Sequence, residues 1–373
     1  MAGGGRLSRA DRRRKGAMVA SLLAGSWRED PPASGAIPDL DELAPLLHRS
    51  GSAALAWARL GRGALAGDPA VEGLRQAHRL QTLGAALHRR HIVHVLEVFR
   101  AHGVDPVIVK GWAAARLYPA EGLRPTGDID VCVRPHEEAD ARRALAAVTA
   151  DCSVDLHVGW AFLDDRDPDE VRRRCQEAGI DGVRARVLGP EDHLRLMAVH
   201  MLGHGAWRPV WLVDLAVVLE TRPAGLDWEW FRAGSRRRSE WAAMALRLAH
   251  LLLGAALDGV PADVTPAAVP RWVTDAVLDA WGDHRREPQG ARLAMRHLRG
   301  PRAVVDGLRR RWPDALEATV GVGASMGTFP RWPLQLAECV MRTARFARTL
   351  MGPRRPVVGR LAAPALTGSH GHR

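Results

Sequence analysis

Two aspartates, Asp128 and Asp130, stand one residue apart in the segment RPTGDIDVCV at residues 124–133. The apolar, β-branched residues around them predict a strand over 128–135. Because side chains alternate along a strand, both carboxylates lie on one face. Neighbouring carboxylates repel each other unless a cation lies between them, and Mg²⁺ or Mn²⁺ prefers such oxygen ligands. The pattern indicates a divalent-metal site, although strand-end or helix-capping aspartates would show the same spacing.

A third carboxylate occupies an equivalent position in the segment SVDLHVGW at residues 153–160. Asp155 lies between two apolar residues and shares a strand face with His157. If this predicted strand lies beside the first, the three carboxylates converge. Three carboxylates can hold two metal ions about 3.5–4 Å apart, which is the geometry for in-line displacement at phosphorus.

Groups that bind phosphate precede these acids. Lys110 and Gly111 end a short predicted strand over 105–111, and a predicted helix over 112–119 follows. A glycine at a helix start lets backbone N–H groups approach an anion. Lys110, one of only two lysines in the chain, supplies a compact positive charge. Arg124, in the loop that leads to the first aspartate, offers a planar fork for bidentate contact with a phosphate.

These elements form a small α/β unit between two helical regions. Apolar residues at helical spacing predict a helical region over 16–104, and the pattern changes to short strands and helices over 105–189. Helical periodicity returns at Pro190, which stands where a first helical turn begins, and the helical region extends over 190–351. The sequence therefore predicts an α+β protein with a mixed sheet in its core and helices on both sides.

The formal net charge of +11 is concentrated at the two ends of the chain. Residues 1–15 carry +5 and residues 342–373 carry +7, which leaves −1 for residues 16–341. We expect basic disordered tails at 1–15 and 352–373, with weak contact to nucleic acid or anionic membrane as the alternative. The near-neutral centre favours a small substrate over a nucleic acid.

The four cysteines contain no C-x-x-C pair, and no apolar run reaches the roughly 18 residues that span a bilayer. We therefore expect a reduced, cytoplasmic protein without a disulfide framework, a cysteine zinc site or a transmembrane segment. His200 and His204, four residues apart in a predicted helix, have zinc-ligand spacing but no obvious third ligand.

The order of strand, Lys-Gly, helix, Gly-Asp-x-Asp and a later strand with a third Asp resembles the DNA polymerase β-like nucleotidyltransferase superfamily. Within it, the chain is similar to the family of uncharacterised nucleotidyltransferases. The segments that carry this similarity are VIVKGWAAARLYPAEGLRPTGDIDVCV, VDLHVGW and EDHLRLMAVHMLGHGAWRPVWLVDLAVVL. The resemblance covers residues 16–250 and implies that 105–189 is a nucleotidyltransferase core.

The resemblance implies a metal-dependent enzyme that moves a nucleoside monophosphate, with AMP favoured, from a nucleoside triphosphate (NTP) to an acceptor. It implies two Mg²⁺ or Mn²⁺ ions on the catalytic carboxylates Asp128, Asp130 and Asp155. It assigns nucleotide binding to Lys110, Gly111, Arg124 and Gly127. It favours a helical lid or acceptor site that contains His157, His200, His204, Arg208 and Asp214. Since Asp214 lies in an apolar helix it needs a partner, and we expect one of these histidines or Arg208.

The acceptor implied by the resemblance is a peptide or small molecule, in natural-product biosynthesis. Two alternatives stay open. The turn is Gly111-Trp112 where the superfamily usually has Gly-Gly or Gly-Ser, which favours a catalytically weak nucleotide-binding or scaffold protein. The basic tails favour a toxin-like nucleotidyltransferase that acts on tRNA.

Overall fold

The structure, a computed structural model, describes residues 7–32, 39–61, 67–149, 151–160, 162–283 and 312–351. The described part of the N-terminal region is helical: α1 (Arg9–Leu23), α2 (Leu40–Ser50), α3 (Ala53–Leu60) and α4 (Pro69–Ala101). Asp39 and Asp68 accept hydrogen bonds from backbone N–H groups in the first turns of α2 and α4. These caps satisfy donors that would otherwise be unpaired, and they define where the helices begin.

A five-stranded mixed sheet follows, in the order β3-β2-β1-β5-β4. Its strands are β1 (Val107–Ile108), β2 (Ile129–Val133), β3 (Val154–Val158), β4 (Gln176–Ile180) and β5 (Val183–Val187). β2 lies parallel to β3 and antiparallel to β1, while β1 lies parallel to β5. The connections contain α5 (Gly111–Ala115), α6 (Glu138–Ala147) and α7 (Pro168–Arg173). The prediction of an α+β fold with a mixed sheet is confirmed.

The two faces of the sheet pack on different helices. Ile129 and Val131 of β2 lie in one apolar cluster with Phe99 of α4. Because alternate residues of a strand face opposite ways, Asp130 and Cys132 belong to the other face. Cys132 is buried there in the larger apolar cluster, which includes the C-terminal helices. Asp130 therefore lies on the sheet face that is turned toward the C-terminal region.

The described C-terminal region is helical, as predicted: α8 (Pro190–Gly203), α9 (Pro209–Glu220), α10 (Trp228–Arg232), α11 (Arg236–Leu253), α12 (Arg271–Trp281), α13 (Ala315–Gly321) and α14 (Trp332–Met351). α8, α9 and α11 pack against one another. α9 is buried almost throughout, which explains why its sequence is apolar on every side. Among the described residues, we find no helix with the length and apolar character needed to cross a membrane.

β4 and β5 form a hairpin that the sequence analysis does not predict. Asp181 and Gly182 connect the strands with φ of 44° and 82°. Positive φ at both central residues is typical of a type I′ turn, for which Asp-Gly is a favoured sequence. The alternation of β5 is also visible, because Ala185 and Val187 are buried while Arg184 is exposed.

The prediction of a disordered tail at 1–15 is wrong for its second half, since α1 begins at Arg9. Ser8 caps this helix by accepting a hydrogen bond from the backbone N–H of Asp11. Arg12 and Arg13 then pair with Asp279 and Asp275 of α12, so acidic side chains of that helix neutralise part of the basic run. The predicted tail at 352–373 lies outside the described residues.

Candidate active site

β2 and β3 place two of the predicted carboxylates side by side. Asp130 of β2 and Asp155 of β3 are partners in the parallel register, so their side chains lie on the same sheet face. The side chain of Asp130 is 15% exposed and that of Asp155 is 53% exposed. The pair therefore opens to solvent on the β3 side. The expectation that these two strands are neighbours is confirmed.

The turn after β1 brings a cation to this pair. Lys110 Nζ lies 2.7 Å from Asp130 Oδ1. Lys110 and Gly111 both have positive φ, of 54° and 26°, and α5 begins at Gly111. A Cβ added to Gly111 would lie 3.8 Å from Asp130 Oδ2, in a backbone conformation that L-residues rarely adopt. Glycine suits this position because of its positive φ, since the distance to the carboxylate would be an ordinary contact.

His157 contacts the carboxylates of both Asp130 and Asp155. Its Nε2 lies 3.4 Å from Asp130 Oδ1 and 3.4 Å from Asp155 Oδ2. Burial raises the pKa of Asp130, but the His157 hydrogen bond and the Lys110 charge outweigh burial, so the net shift is downward. Ligand atoms of Asp130, Asp155 and His157 all lie within 4.8 Å of one another. An ionised carboxylate in a cluster of this size suits a bound cation.

Asp128 lies at the mouth of the site, one residue before β2. It is exposed and accepts a 2.7 Å hydrogen bond from Ser153 Oγ, at the residue before β3. It does not belong to the three-residue cluster that lies within 4.8 Å. Gly127 beside it is exposed, and a Cβ there would meet no described atom within 4 Å. The structure thus leaves open space next to the first carboxylate.

Arg124 is engaged with Asp214 of α9. Its Nε and Nη2 donate to the two carboxylate oxygens at 2.8 and 3.0 Å, and its Nη1 donates to the carbonyl oxygen of Pro125. The hydroxyl of Tyr118 donates to Asp214 Oδ1 at 2.8 Å. The expectation that a histidine or Arg208 is the partner of Asp214 is therefore wrong. The physical reason is geometric, because the loop after α5 lies against α9.

This Tyr118–Asp214–Arg124 network is buried. Burial raises the pKa of Tyr118 well above its ordinary value, so its hydroxyl keeps its proton and donates. Burial lowers the pKa of Arg124, but the charge of Asp214 reverses this effect and the net shift is upward. The network ties the loop that leads to Asp128 onto α9, because Arg124 in that loop pairs with Asp214 in the helix.

His200 of α8 and His204, the residue after this helix, lie on the Lys110 side of the site. Their ring centroids are 4.4 Å apart, and Trp211 contacts both rings. Burial lowers the pKa of each histidine, and the charge of Lys110 lowers both further. The two rings are therefore neutral near pH 7 and offer hydrogen bonds rather than charge.

Arg208 lies at the junction of α9 with the N-terminal helices. Its Nε donates to the carbonyl oxygen of Ser50 at 3.3 Å. Its guanidinium carbon lies 5.6 and 5.7 Å from the ring centroids of Trp207 and Trp211, which is cation–π geometry. Trp211 therefore contacts Arg208 and also the rings of His200 and His204.

His88 of α4 is a site residue that the sequence analysis does not predict. Burial lowers its pKa to about 4, helped by the charge of Arg124 and opposed by the charges of Asp128 and Asp130. These interactions place His88 near the first two carboxylates. The available signal was the presence of His88, His91 and His94 within seven residues of one helix. Helical spacing alone does not show which of the three faces the strands.

A family model described as uncharacterised nucleotidyltransferase matches the chain twice, over residues 38–149 and 147–254. The chain belongs to this family. The matches run from the start of α2 to the end of α11 and include both carboxylate-bearing strands. No curated protein and no solved structure matches the chain. The nucleotidyltransferase is thus an enzyme that transfers nucleotidyl groups, and its candidate site lies within the matched residues.

The unusual turn residue of this nucleotidyltransferase has a packing role. Trp112, at the second position of α5, is 8% exposed and lies in the apolar cluster shared by the sheet and α4. The turn therefore presents the Lys110 ammonium and the backbone of Gly111, but no hydroxyl, to the site. A phosphate at this turn would be bound by charge and backbone N–H groups.

Proposed function

We propose that this nucleotidyltransferase moves AMP from ATP to a peptide or small-molecule acceptor and releases pyrophosphate. The observation that carries the proposal is the in-register pair of Asp130 and Asp155, with Lys110 Nζ 2.7 Å from Asp130, inside the family-matched residues. Paired acids on adjacent strands beside a phosphate-binding turn suit displacement at phosphorus. Free cysteines and an NTP substrate fit a cytoplasmic enzyme.

Local charge supports divalent cations as cofactors. Asp130 and Asp155 lie side by side near the starts of β2 and β3, Asp128 precedes β2, and the Lys110 ammonium offsets one of these negative charges. The remaining negative charge, with carboxylate oxygens and an imidazole nitrogen within 4.8 Å, fits Mg²⁺ or Mn²⁺. In this proposal two ions are held by Asp128, Asp130 and Asp155. When bound, they withdraw charge from phosphate oxygens and lower the pKa of an acceptor hydroxyl.

The side of the site nearest α5 binds the triphosphate. Lys110 exchanges its contact with Asp130 for a phosphate oxygen, which is favourable because the phosphate carries more negative charge. Gly127 leaves open space beside Asp128, and Gly111 places the backbone of the turn next to Asp130. Arg124 keeps the connecting loop in place through Asp214, and so sets where Asp128 stands.

The side nearest β3 receives the acceptor. Asp155 is the more exposed member of the register pair, so it either helps to bind a cation beside the acceptor hydroxyl or takes the proton of that hydroxyl as a base. His157 supplies a hydrogen bond on this side, and His200 and His204 supply hydrogen bonds from the Lys110 side. The formal charge of −1 over residues 16–341 favours a peptide or small acceptor, and the resemblance suggests natural-product biosynthesis as its context.

The test is pyrophosphate release by the purified full chain with each NTP, Mg²⁺ and mixtures of candidate acceptors, with mass spectrometry of the acceptors. We expect Asp130→Asn to lower the rate about 10³-fold, since an interaction worth several kcal/mol in the transition state is removed. The control is Asp140→Asn, which removes an exposed acid paired with Arg143 on α6 and should leave the rate unchanged. An Asp130→Asn enzyme with full activity would disprove the proposal.

One observation favours a second candidate function. Because Trp112 is packed in the core, the turn lacks the hydroxyl that superfamily members usually bring to phosphate, which fits a protein that binds nucleotides without efficient turnover. Calorimetry separates the two functions. Tight NTP binding with no product in any acceptor mixture would favour the binding protein, whereas nucleotide-labelled acceptor would exclude it. RNA binding with a steep salt dependence would point to a tRNA substrate instead.

A further inference from the structure

A second cluster of metal-ligand side chains lies away from the carboxylate pair, where α4 meets the loop between α6 and β3. His91 Nε2 lies 3.3 Å from Asp151 Oδ2. Cys152 completes the group, and ligand atoms of all three residues lie within 4.8 Å of one another. The cluster joins two elements that are 60 residues apart in sequence, so no short motif reveals it.

The donor set identifies the class of ion. An imidazole nitrogen, a thiol sulfur and a carboxylate oxygen together are typical ligands of Zn²⁺, whereas Mg²⁺ avoids sulfur. Ligand atoms bound at about 2.0–2.3 Å from a tetrahedral zinc lie roughly 3.3–3.8 Å from one another. The 3.3 Å between His91 Nε2 and Asp151 Oδ2 already matches this spacing.

His94, one helical turn beyond His91 and outside this group of three, is the candidate for a fourth ligand. Its Nε2 is buried and has no hydrogen-bond partner among the described residues, which is costly for a polar atom. A cation bound at the neighbouring group would give this unpaired nitrogen a partner.

We propose that His91, His94, Asp151 and Cys152 bind a structural zinc ion that is separate from the ions of the carboxylate site. Binding removes the proton of the Cys152 thiol, which passes to solvent, and forms the zinc–sulfur bond. Burial raises the pKa of this thiol in the absence of metal, and the neighbouring Thr149 hydroxyl lies 3.5 Å from its sulfur.

The position of the site gives zinc a role in shaping the carboxylate site. Ser153 follows Cys152 directly and holds Asp128 by a hydrogen bond, and Asp155 comes two residues later. On the other side, His88 lies one turn before His91 on α4. A zinc ion would therefore fix the start of β3 against α4 and restrain residues that flank the candidate active site.

The experiment is cobalt substitution of the full chain after dialysis against a chelator. We expect one equivalent of Co²⁺ to produce a near-ultraviolet thiolate-to-cobalt band and intense visible bands typical of tetrahedral coordination, and Zn²⁺ to abolish both. Cys152→Ser should lose the thiolate band, and His94→Gln should weaken cobalt binding by about 10-fold or more. The matched control is Cys339→Ser on α14, which should keep the band.

A second measurement keeps the test independent of folding defects and of the proposed activity. Zinc should raise the thermal midpoint of the wild-type chain and of Asp155→Asn, which leaves the zinc ligands intact, but not that of a folded Cys152→Ser protein. Absence of a thiolate band in the wild type, or the same band in Cys152→Ser, would overturn the zinc site. Neither result would affect the proposed nucleotidyl transfer, which is tested by Asp130→Asn.

Discussion

Asp130 and Asp214 are both aspartates paired with a basic side chain, yet their surroundings differ. Asp214 is 3% exposed, and its two oxygens accept three hydrogen bonds from Arg124 and Tyr118. Asp130 is 15% exposed, pairs with Lys110, and has a second carboxylate, Asp155, at the adjacent register position. The first site is balanced in charge and in hydrogen bonds, whereas the second holds more acid than base.

This difference separates a structural ion pair from a site prepared for a ligand. A balanced buried pair gains nothing from an added ion, and removing one partner leaves an uncompensated charge. A site with surplus negative charge gains stability when a cation binds. The comparison therefore predicts that the two aspartates respond oppositely to substitution.

The largest expected effect on stability is at Asp214. Asp214→Ala leaves the Arg124 guanidinium buried without its partner and should lower the free energy of unfolding by about 3–5 kcal/mol. Asp130→Asn removes the attraction to Lys110 and also the repulsion with Asp155, so it should change the free energy of unfolding by less than about 1 kcal/mol, while activity is lost. Chemical denaturation followed by circular dichroism measures both. Equal destabilisation by the two substitutions would contradict the distinction between a structural ion pair at Asp214 and a ligand site at Asp130.

A double substitution controls for the size change at Asp214. Replacing both partners, as Arg124→Met with Asp214→Leu, removes the charges together and should cost less than Asp214→Ala alone. If the double variant is the least stable of the set, the pair contributes more than charge compensation, and the balanced-pair interpretation fails.

Lys110 should be able to exchange its contact with Asp130 for a contact with a phosphate. A hydrogen bond to a charged group contributes about 1.5–3 kcal/mol, so Lys110→Met should raise the KM for NTP about 10- to 100-fold. Its effect on the thermal midpoint should be small, because the lysine is not part of a saturated network. Steady-state kinetics and thermal unfolding measure the two quantities. A strongly destabilised Lys110→Met with unchanged KM would make Lys110 a structural cation like Arg124.

The sequence predicts the unbalanced site better than the balanced one, for a physical reason. Asp128, Asp130 and Asp155 follow the two-residue period of strands, so their common face can be inferred locally. The partner of Asp214 is 90 residues away in a loop, and its identity depends on how that loop packs on α9. Histidines on α4 present a similar difficulty, because a helix shows which residues share a face but not what that face contacts.

The hairpin of β4 and β5 is a different case, since its signal was local. Asp181-Gly182 is a favoured type I′ turn, and the flanking residues of β5 alternate between buried and exposed. The prediction of a disordered tail is wrong from Arg9 onward, because charge alone suggested disorder while the complementary acids lie on α12, more than 260 residues later. Local sequence patterns therefore predict the helices and strands. Contacts with residues that are distant in sequence decide which charged side chains have a structural role.

The effect that is smallest per pH unit is a pH dependence of stability on the balanced side of the comparison. Burial lowers the pKa of His193 from 6.5 to about 3, with further lowering by Arg116 and Arg124. Its folded-state pKa lies below the unfolded value, so its contribution is fully present above pH 6.5 and is lost as the pH falls toward 3. Between these values the unfolded chain binds one more proton, which lowers stability by about 1.4 kcal/mol for each pH unit.

His193→Leu should remove this part of the slope, because the variant has no imidazole to protonate in the unfolded chain. Denaturant unfolding at several pH values between 4 and 6.5 should give a curve that is shallower than that of the wild type by about 1.4 kcal/mol per pH unit. His136→Leu, which replaces an exposed histidine before α6, should keep the wild-type slope. An unchanged slope in His193→Leu would mean that the His193 ring can bind a proton in the folded protein. The charges around Arg124 would then not exclude a further positive charge there.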